Sequence, residues 1–171
     1  EVDFSGFRDI VNVLGGVDVG LTQKEADYLN KKGNWDNDQG NFDWHLTAGV
    51  NRLDGDQALA FSRIRALDSD WGRTNRQRVV LTALLNKAKT MDISQINDFI
   101  NEVIPMIATD MTPSEITGYA LDLLPMLGSA TIKNQTIPAD GTWQYASING
   151  ASVITVNFEK NQQFLRDTIG S

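Results

Sequence analysis

With 171 residues, 41% hydrophobic and 22% charged, the chain has the composition of a soluble globular protein long enough to bury a real core. Its formal charge of −7 argues against a general nucleic-acid binder, which needs excess basic charge to displace counterions from phosphates, and otherwise reads as a solubility feature. The absence of cysteine excludes disulfides, thiolate metal sites and thiol nucleophiles, and a single histidine, His45, excludes a multi-histidine metal site.

The chain opens on Glu1, Val2, Asp3 and Phe4 without a methionine, and it shows no signal peptide. It therefore reads as a mature or truncated product whose start has been removed. No apolar run approaches the roughly eighteen residues that a membrane span requires. Residues 5–14 predict a helix, with Phe7, Ile10, Val11 and Leu14 at helical spacing, Ser5 as N-cap and Gly15-Gly16 as the stop. Residues 17–19 predict a short strand. Residues 22–32 predict a second helix opened by a capping box, Thr22 with Glu25. The Asn-, Asp- and Gly-rich residues 34–41 predict a loop. A Ser-His-Asp triad would have to use His45, which lies between Trp44 and Leu46 without a nucleophile-elbow glycine pattern, so a packed or surface histidine is expected.

Residues 46–53 predict an extended segment, 57–61 a short helix after Asp54-Gly55, and 62–65 another extended segment. Three helices follow over 70–91, 94–109 and 112–127. The last opens with Thr112, Pro113 and Glu115, a cap, a proline at the first helical position and a closing glutamate. The period then changes. Strands are predicted over 131–137, 143–148 and 152–156, with turns at 139–141 and at Asn149-Gly150, a strong hairpin signal. A helix over 158–169 closes the chain. The expectation is one α/β domain over 1–171, a mixed β-sheet flanked by helices.

One stretch carries chemistry. Between Phe61 and Arg78 there are five arginines, two aspartates and no lysine, a net +3 that leaves the rest of the chain at −10. On an extended segment Arg63 and Arg65 project from one face while Ile64 points into a core. On a helix Arg73 and Gln77 lie one turn apart, with Arg76 beside them. A turn at 68–70 would bring the two faces together as a site for a multiply charged anion, because the guanidinium fork matches phosphate oxygens in pairs. The alternative from the same residues is ordinary ion pairing, Arg63 with Asp68 or Arg73 with Asp70.

Leu53, Gly55, Ala58, Leu59, Phe61, Arg63 and Arg65, followed by Asp70, Trp71, Gly72, Arg73, Arg76 and Gln77, resemble the signature of the LytR-CpsA-Psr family. That signature runs Leu-x-Gly-x-x-Ala-Leu-x-aromatic-x-Arg-x-Arg, then Asp-aromatic-Gly-Arg-x-x-Arg-Gln. Upstream, Val2-Asp3-Phe4, Gly6-Phe7, Ile10-Val11 and 14–19 match the preceding part of the family, and the likeness covers roughly residues 1–90 well. It implies the C-terminal two-thirds of such a domain, with N-terminal strands and a membrane anchor lying before residue 1. It also implies an extracytoplasmic transferase that moves a glycan phosphate, such as teichoic acid or capsule, from an undecaprenyl-pyrophosphate carrier to peptidoglycan. Arg63, Arg65, Arg73, Arg76 and Gln77 would hold the pyrophosphate, with Arg63 and Arg65 closest to the chemistry. A Mg2+ ion is implied as cofactor, its family aspartates lying upstream, so that the 171 residues alone would have little transferase activity. Asp68 and Asp70 are secondary candidates in their place.

A polyprenyl tail needs an apolar cavity. Ile96, Phe99, Ile100, Val103, Ile104 and Ile107 on one helix, and Ile116, Tyr119, Ala120, Leu123, Leu124 and Leu127 on the next, read first as plain core and second as lining for that tail. Beside the enzyme stand two other readings: a non-catalytic module that binds pyrophosphate lipid or anionic glycan, and a DNA-binding attenuator. The net charge counts against the second, and no nucleic-acid partner is expected.

Overall fold

The computed structural model describes residues 3–31, 44–68, 70–127, 131 and 134–169. It divides into two compact units, Glu1–Thr131 and Ile132–Ser171.

In the first unit helix α1 (Phe4–Val13) is capped by Asp3, whose Oδ1 accepts from the Gly6 N–H at 2.7 Å. The cap therefore lies two residues before the expected Ser5. Strand β1 (Val17–Leu21) alternates buried and exposed, and helix α2 (Gln23–Asn30) begins with the complete Thr22–Glu25 capping box. Strand β2 (Gly49–Leu53) pairs antiparallel with β1, Val17 opposite Leu53 and Leu21 opposite Gly49. The ladder is shorter than the expected 46–53. Leu46 and Thr47 instead turn their backbones to the side chains of Asn30 and Asn51. The predicted 34–41 loop lies outside the described residues.

Asp54 caps helix α3 (Gly55–Arg63) with a second capping box, closed by Gln57. This helix overturns the expected extended run over 62–65, because the box starts it two residues early and its last turn reaches Arg63. Gly55 permits the α1–α3 packing, since a Cβ there would overlap the Arg8 backbone. Its N–H donates to Asn12 Oδ1 at 2.8 Å. Helix α4 (Asp70–Ala88) packs against α3 and β1. The core of the unit is Val11, Val17, Val19, Leu29, Leu53, Phe61, Ile64 and Val80.

Helix α5 (Ile93–Val103) buries Ile96, Ile100 and Val103, as a core reading of that helix requires. It gives way to a 3-10 turn (Ile104–Met106) instead of running to 109, because Pro105 has no N–H to continue the α-helical ladder. Helix α6 (Pro113–Leu127) departs from the core expectation. Tyr119 is 60% and Leu123 54% exposed, while Ile116 and Ala120 are half-buried.

In the second unit strands β3 (Trp143–Ile148) and β4 (Ala151–Val156) form a hairpin closed at Asn149-Gly150. Both turn residues have positive φ, 52° and 81°, as a type I′ turn demands. No strand occurs among the described residues of 131–137. Residues 134–136 are irregular, and a cis Ile137–Pro138 bond follows. Proline offers no ladder donor at that point. Helix α7 (Phe158–Ile169) closes the unit. Its buried Asn161 accepts from the Ala139 N–H and donates to Thr142 Oγ1, both at 2.8 Å, tying the entry of the hairpin to the helix. The α/β class therefore stands. Among the described residues, however, the strands make two separate antiparallel pairs where one mixed sheet was expected.

Candidate functional site: the arginine end of helices α3 and α4

The motif arginines fall into two kinds, separated by burial. Arg76 is 3% exposed and points inward from α4. Its guanidinium donates to both oxygens of Asp68, at 2.9 and 2.6 Å, to Glu25 Oε1 at 3.3 Å, and to the Ile64 carbonyl at 2.8 Å. Glu25 is able to serve because its capping box uses only Oε2. Asp68 accordingly titrates below the ordinary carboxylate range, chiefly because Arg76 hydrogen-bonds its charged form, and Arg76 is pushed upward chiefly by Asp68. Ion pairing is realised here by Arg76 with Asp68 and Glu25, while the Asp70 side chain of the alternative Arg73–Asp70 pair lies outside the described residues. Expected as a pyrophosphate ligand, Arg76 instead spends its fork on protein groups.

Gly72 completes this clamp, since a Cβ there would overlap the Asp68 carboxylate. The aromatic-Gly-Arg part of the motif therefore has a steric reason at its glycine. The clamp fixes the chain between α3 and α4. Ile64 is held through its carbonyl and buried to 2%, and Asp68 is held through its carboxylate. Arg65, between them, is exposed and has no side-chain partner among the described residues. The flanking turns of α4 carry Arg73, half-buried, and Gln77, exposed and likewise without a side-chain partner among the described residues. Arg65 therefore adjoins Ile64, whose carbonyl Arg76 holds, while Arg73 and Gln77 lie on α4 within one turn of Arg76 itself.

Arg63 is also exposed, but at the last position of α3. Its guanidinium lies 4.7 Å from the centre of the Phe4 ring, a cation–π contact that directs it toward the start of α1. The paired projection of Arg63 and Arg65 from one extended face is thus replaced by a helix end followed by a turn, although Ile64 points inward as expected. Glu25, Phe4 and Gly72 are the contributors that sequence reasoning missed.

Asp68 does not suit a Mg2+ ion, because both its oxygens already accept from Arg76. Asp70 opens α4, and its side chain lies outside the described residues. No group of three or more potential metal ligands occurs among the described residues. His45, exposed with φ of 52°, sits in the segment leading to β2.

Residues 1–169 match the LytR_cpsA_psr family. The chain belongs to this family. It is 30% identical over 154 residues to the Bacillus cereus polyisoprenyl-teichoic acid–peptidoglycan teichoic acid transferase TagU, covering 85% of this chain and 45% of the relative. It is 28% identical to TagV of Bacillus subtilis, covering 97% of this chain and 41% of that one. The chain thus spans less than half the length of these relatives. Among solved structures, B. subtilis TagV superimposes with a TM-score of 0.66 at 25% identity over 98% of this chain and 60% of that one. TagT bound to LI-WTA superimposes with a TM-score of 0.65 at 26% identity over 100% of this chain and 60% of the other.

Proposed function

We propose that the LytR-CpsA-Psr protein to which this chain belongs transfers a phosphate-linked glycan, of the teichoic-acid class, from a polyprenyl-pyrophosphate carrier to peptidoglycan. Arg65, Arg73 and Gln77 hold the pyrophosphate, and Arg63 reaches it on leaving the Phe4 ring. The observation that carries this reading is the division of labour in the motif: one buried guanidinium, Arg76, holds the Ile64 carbonyl beside exposed Arg65, from a helix that also carries Arg73 and Gln77. The names of TagU and TagV, and TagT bound to LI-WTA, point to the same substrate class.

In the proposed reaction an acceptor hydroxyl forms a new P–O bond at the glycan-side phosphorus, the bridging P–O–P bond breaks to release polyprenyl phosphate, and the hydroxyl proton passes to solvent or to the departing phosphate. Such a transfer depends on placing and neutralising phosphoryl oxygens more than on a covalent nucleophile. The guanidiniums and the Gln77 amide supply the donors that pair with those oxygens. Any Mg2+ in the protein takes its carboxylates from elsewhere than Asp68. Membrane anchoring and an extracytoplasmic location belong to the same proposal. No helix among the described residues is long and apolar enough to cross a membrane.

A second reading, a module that binds pyrophosphate lipid without turnover, draws on the absence of a carboxylate cluster among the described residues. Transfer assays on the full-length protein, with and without magnesium and with Arg65→Ala, separate the two. Metal-dependent transfer lost in the variant supports the enzyme. Binding without transfer under every condition supports the module.

A further inference from the structure

Phe4 belongs to the upstream part of the family likeness, yet it takes no part in the core: it opens α1 and is 60% exposed. Its ring meets the guanidinium of Arg63, whose carbon lies 4.7 Å from the ring centre. The contact is one end of a seam between two helices. Phe4 and Arg8 are four apart on α1, and Asp56 and Arg63 are seven apart on α3, so each pair shares one helical face. At one end of the seam Arg8 Nη1 donates to Asp56 Oδ1 at 3.1 Å, and at the other the Phe4 ring takes Arg63.

The place of the ring does not depend on Arg63. Asp3 caps α1 through the Gly6 N–H, Gly55 lets α3 close on the Arg8 backbone, and the Gly55 N–H donates to Asn12. An aromatic face is thereby set beside the last side chain of α3. Helix α1 packs on α3 and α5, whereas α4, with Arg73 and Gln77, packs on α3 and β1. On the ring, Arg63 is therefore turned toward the α1 face of α3. An exposed cation–π contact is weaker than a charge-assisted bond from a guanidinium to a phosphate oxygen. Pyrophosphate can take Arg63 from the ring, but against the contact that it breaks.

We propose that Phe4 is a positioning residue: its ring holds Arg63 on the α1 face until pyrophosphate draws the guanidinium off it, and so lowers the affinity of the site. The proposal rests on the transferase reading, which assigns Arg63 to the pyrophosphate, and adds an aromatic residue that competes with the ligand for it.

The test is calorimetric titration of inorganic pyrophosphate into the whole chain and its variants, with the Arg63 side-chain proton shifts followed by NMR. Phe4→Leu removes the aromatic face and keeps an apolar side chain at an exposed position. It is expected to bind pyrophosphate about two- to fivefold more tightly than wild type. Phe4→Tyr, which keeps the ring, should match wild type, and in an Arg63→Ala background Phe4→Leu should change nothing. The Arg63 methylene protons should be ring-shifted before pyrophosphate is added and lose that shift as it saturates the chain. Equal or weaker binding by Phe4→Leu overturns the proposal, as does a gain that persists without Arg63. Failure of the transferase reading has its own signature: wild type shows no pyrophosphate binding although the ring shift is present, which removes the release of Arg63 with it. Binding that leaves the ring shift unmoved at saturation sinks the release alone.

Discussion

The arginine end of the first unit is held together by residues far apart in the chain, whereas the hairpin of the second is held by neighbours. Arg76 reaches Glu25 from α2 and closes on Asp68 and Ile64 across the α3–α4 connection. The hairpin relies on Asn149-Gly150, six facing residue pairs, and Asn161 binding back to Ala139 and Thr142. Both regions display charge or aromatic residues to solvent, but only the first does so from a frame that itself contains a buried charge. Like charges in one motif therefore need not share a role. Arg76, buried against Asp68, Glu25 and the Ile64 carbonyl, forms the frame, and the ligand role is the one proposed for exposed Arg65.

The largest effect expected from this contrast is at the frame. Arg76→Ala leaves Glu25 and Asp68 without their cation and should cost the first unit about 3 kcal/mol, a fall in melting temperature on the order of 10 °C. A urea or thermal melt measures it, and a loss under about 0.5 kcal/mol would reduce Arg76 to a surface residue. Gly72→Ala should cost about 1–2 kcal/mol by driving the Asp68 carboxylate off Arg76. Pairing it with Arg76→Ala in a double-mutant cycle should show much of that cost disappear.

Acid sharpens the contrast further. Because Asp68 titrates below its ordinary value when folded, its stabilising contribution is full above the unfolded pKa of about 3.9 and fades as pH falls through the folded value. Urea melts of wild type and Asp68→Asn should therefore differ at pH 6, and the difference should shrink as pH falls below the ordinary carboxylate range. In the second unit Asn149→Ala should cost about 1 kcal/mol, since alanine tolerates the positive φ of the turn poorly, and should leave the first unit's melt untouched.

Local signals on the chain were legible where the physics is local. The capping box at Thr22–Glu25 begins its helix and Asn149-Gly150 makes its hairpin, whereas the equally local Asp54–Gln57 box went unread and moved α3. The α5 break at Pro105 could have been read from the missing donor alone. The motif named the right neighbourhood but not the roles within it. Nothing in the motif pattern distinguishes Arg76 from Arg73; the distinction comes from the fold, which brings Asp68, the Ile64 carbonyl and Glu25, 51 positions away, to Arg76. For the same reason the Arg63–Phe4 contact was hidden, and with it the divergence of Arg63 from Arg65. The apolar stripe on α6 resembled core in sequence, yet leaves Tyr119 and Leu123 exposed, since hydrophobic spacing states which residues share a face but not what meets it.

Calorimetric titration of pyrophosphate into the wild-type chain and into Arg65→Ala, each with its melt recorded, tests the assignment of ligand arginines most directly. The predicted result is binding weakened at least tenfold with stability unchanged to within about 0.5 kcal/mol. Equal affinity in the two proteins, or no binding by either, would contradict it.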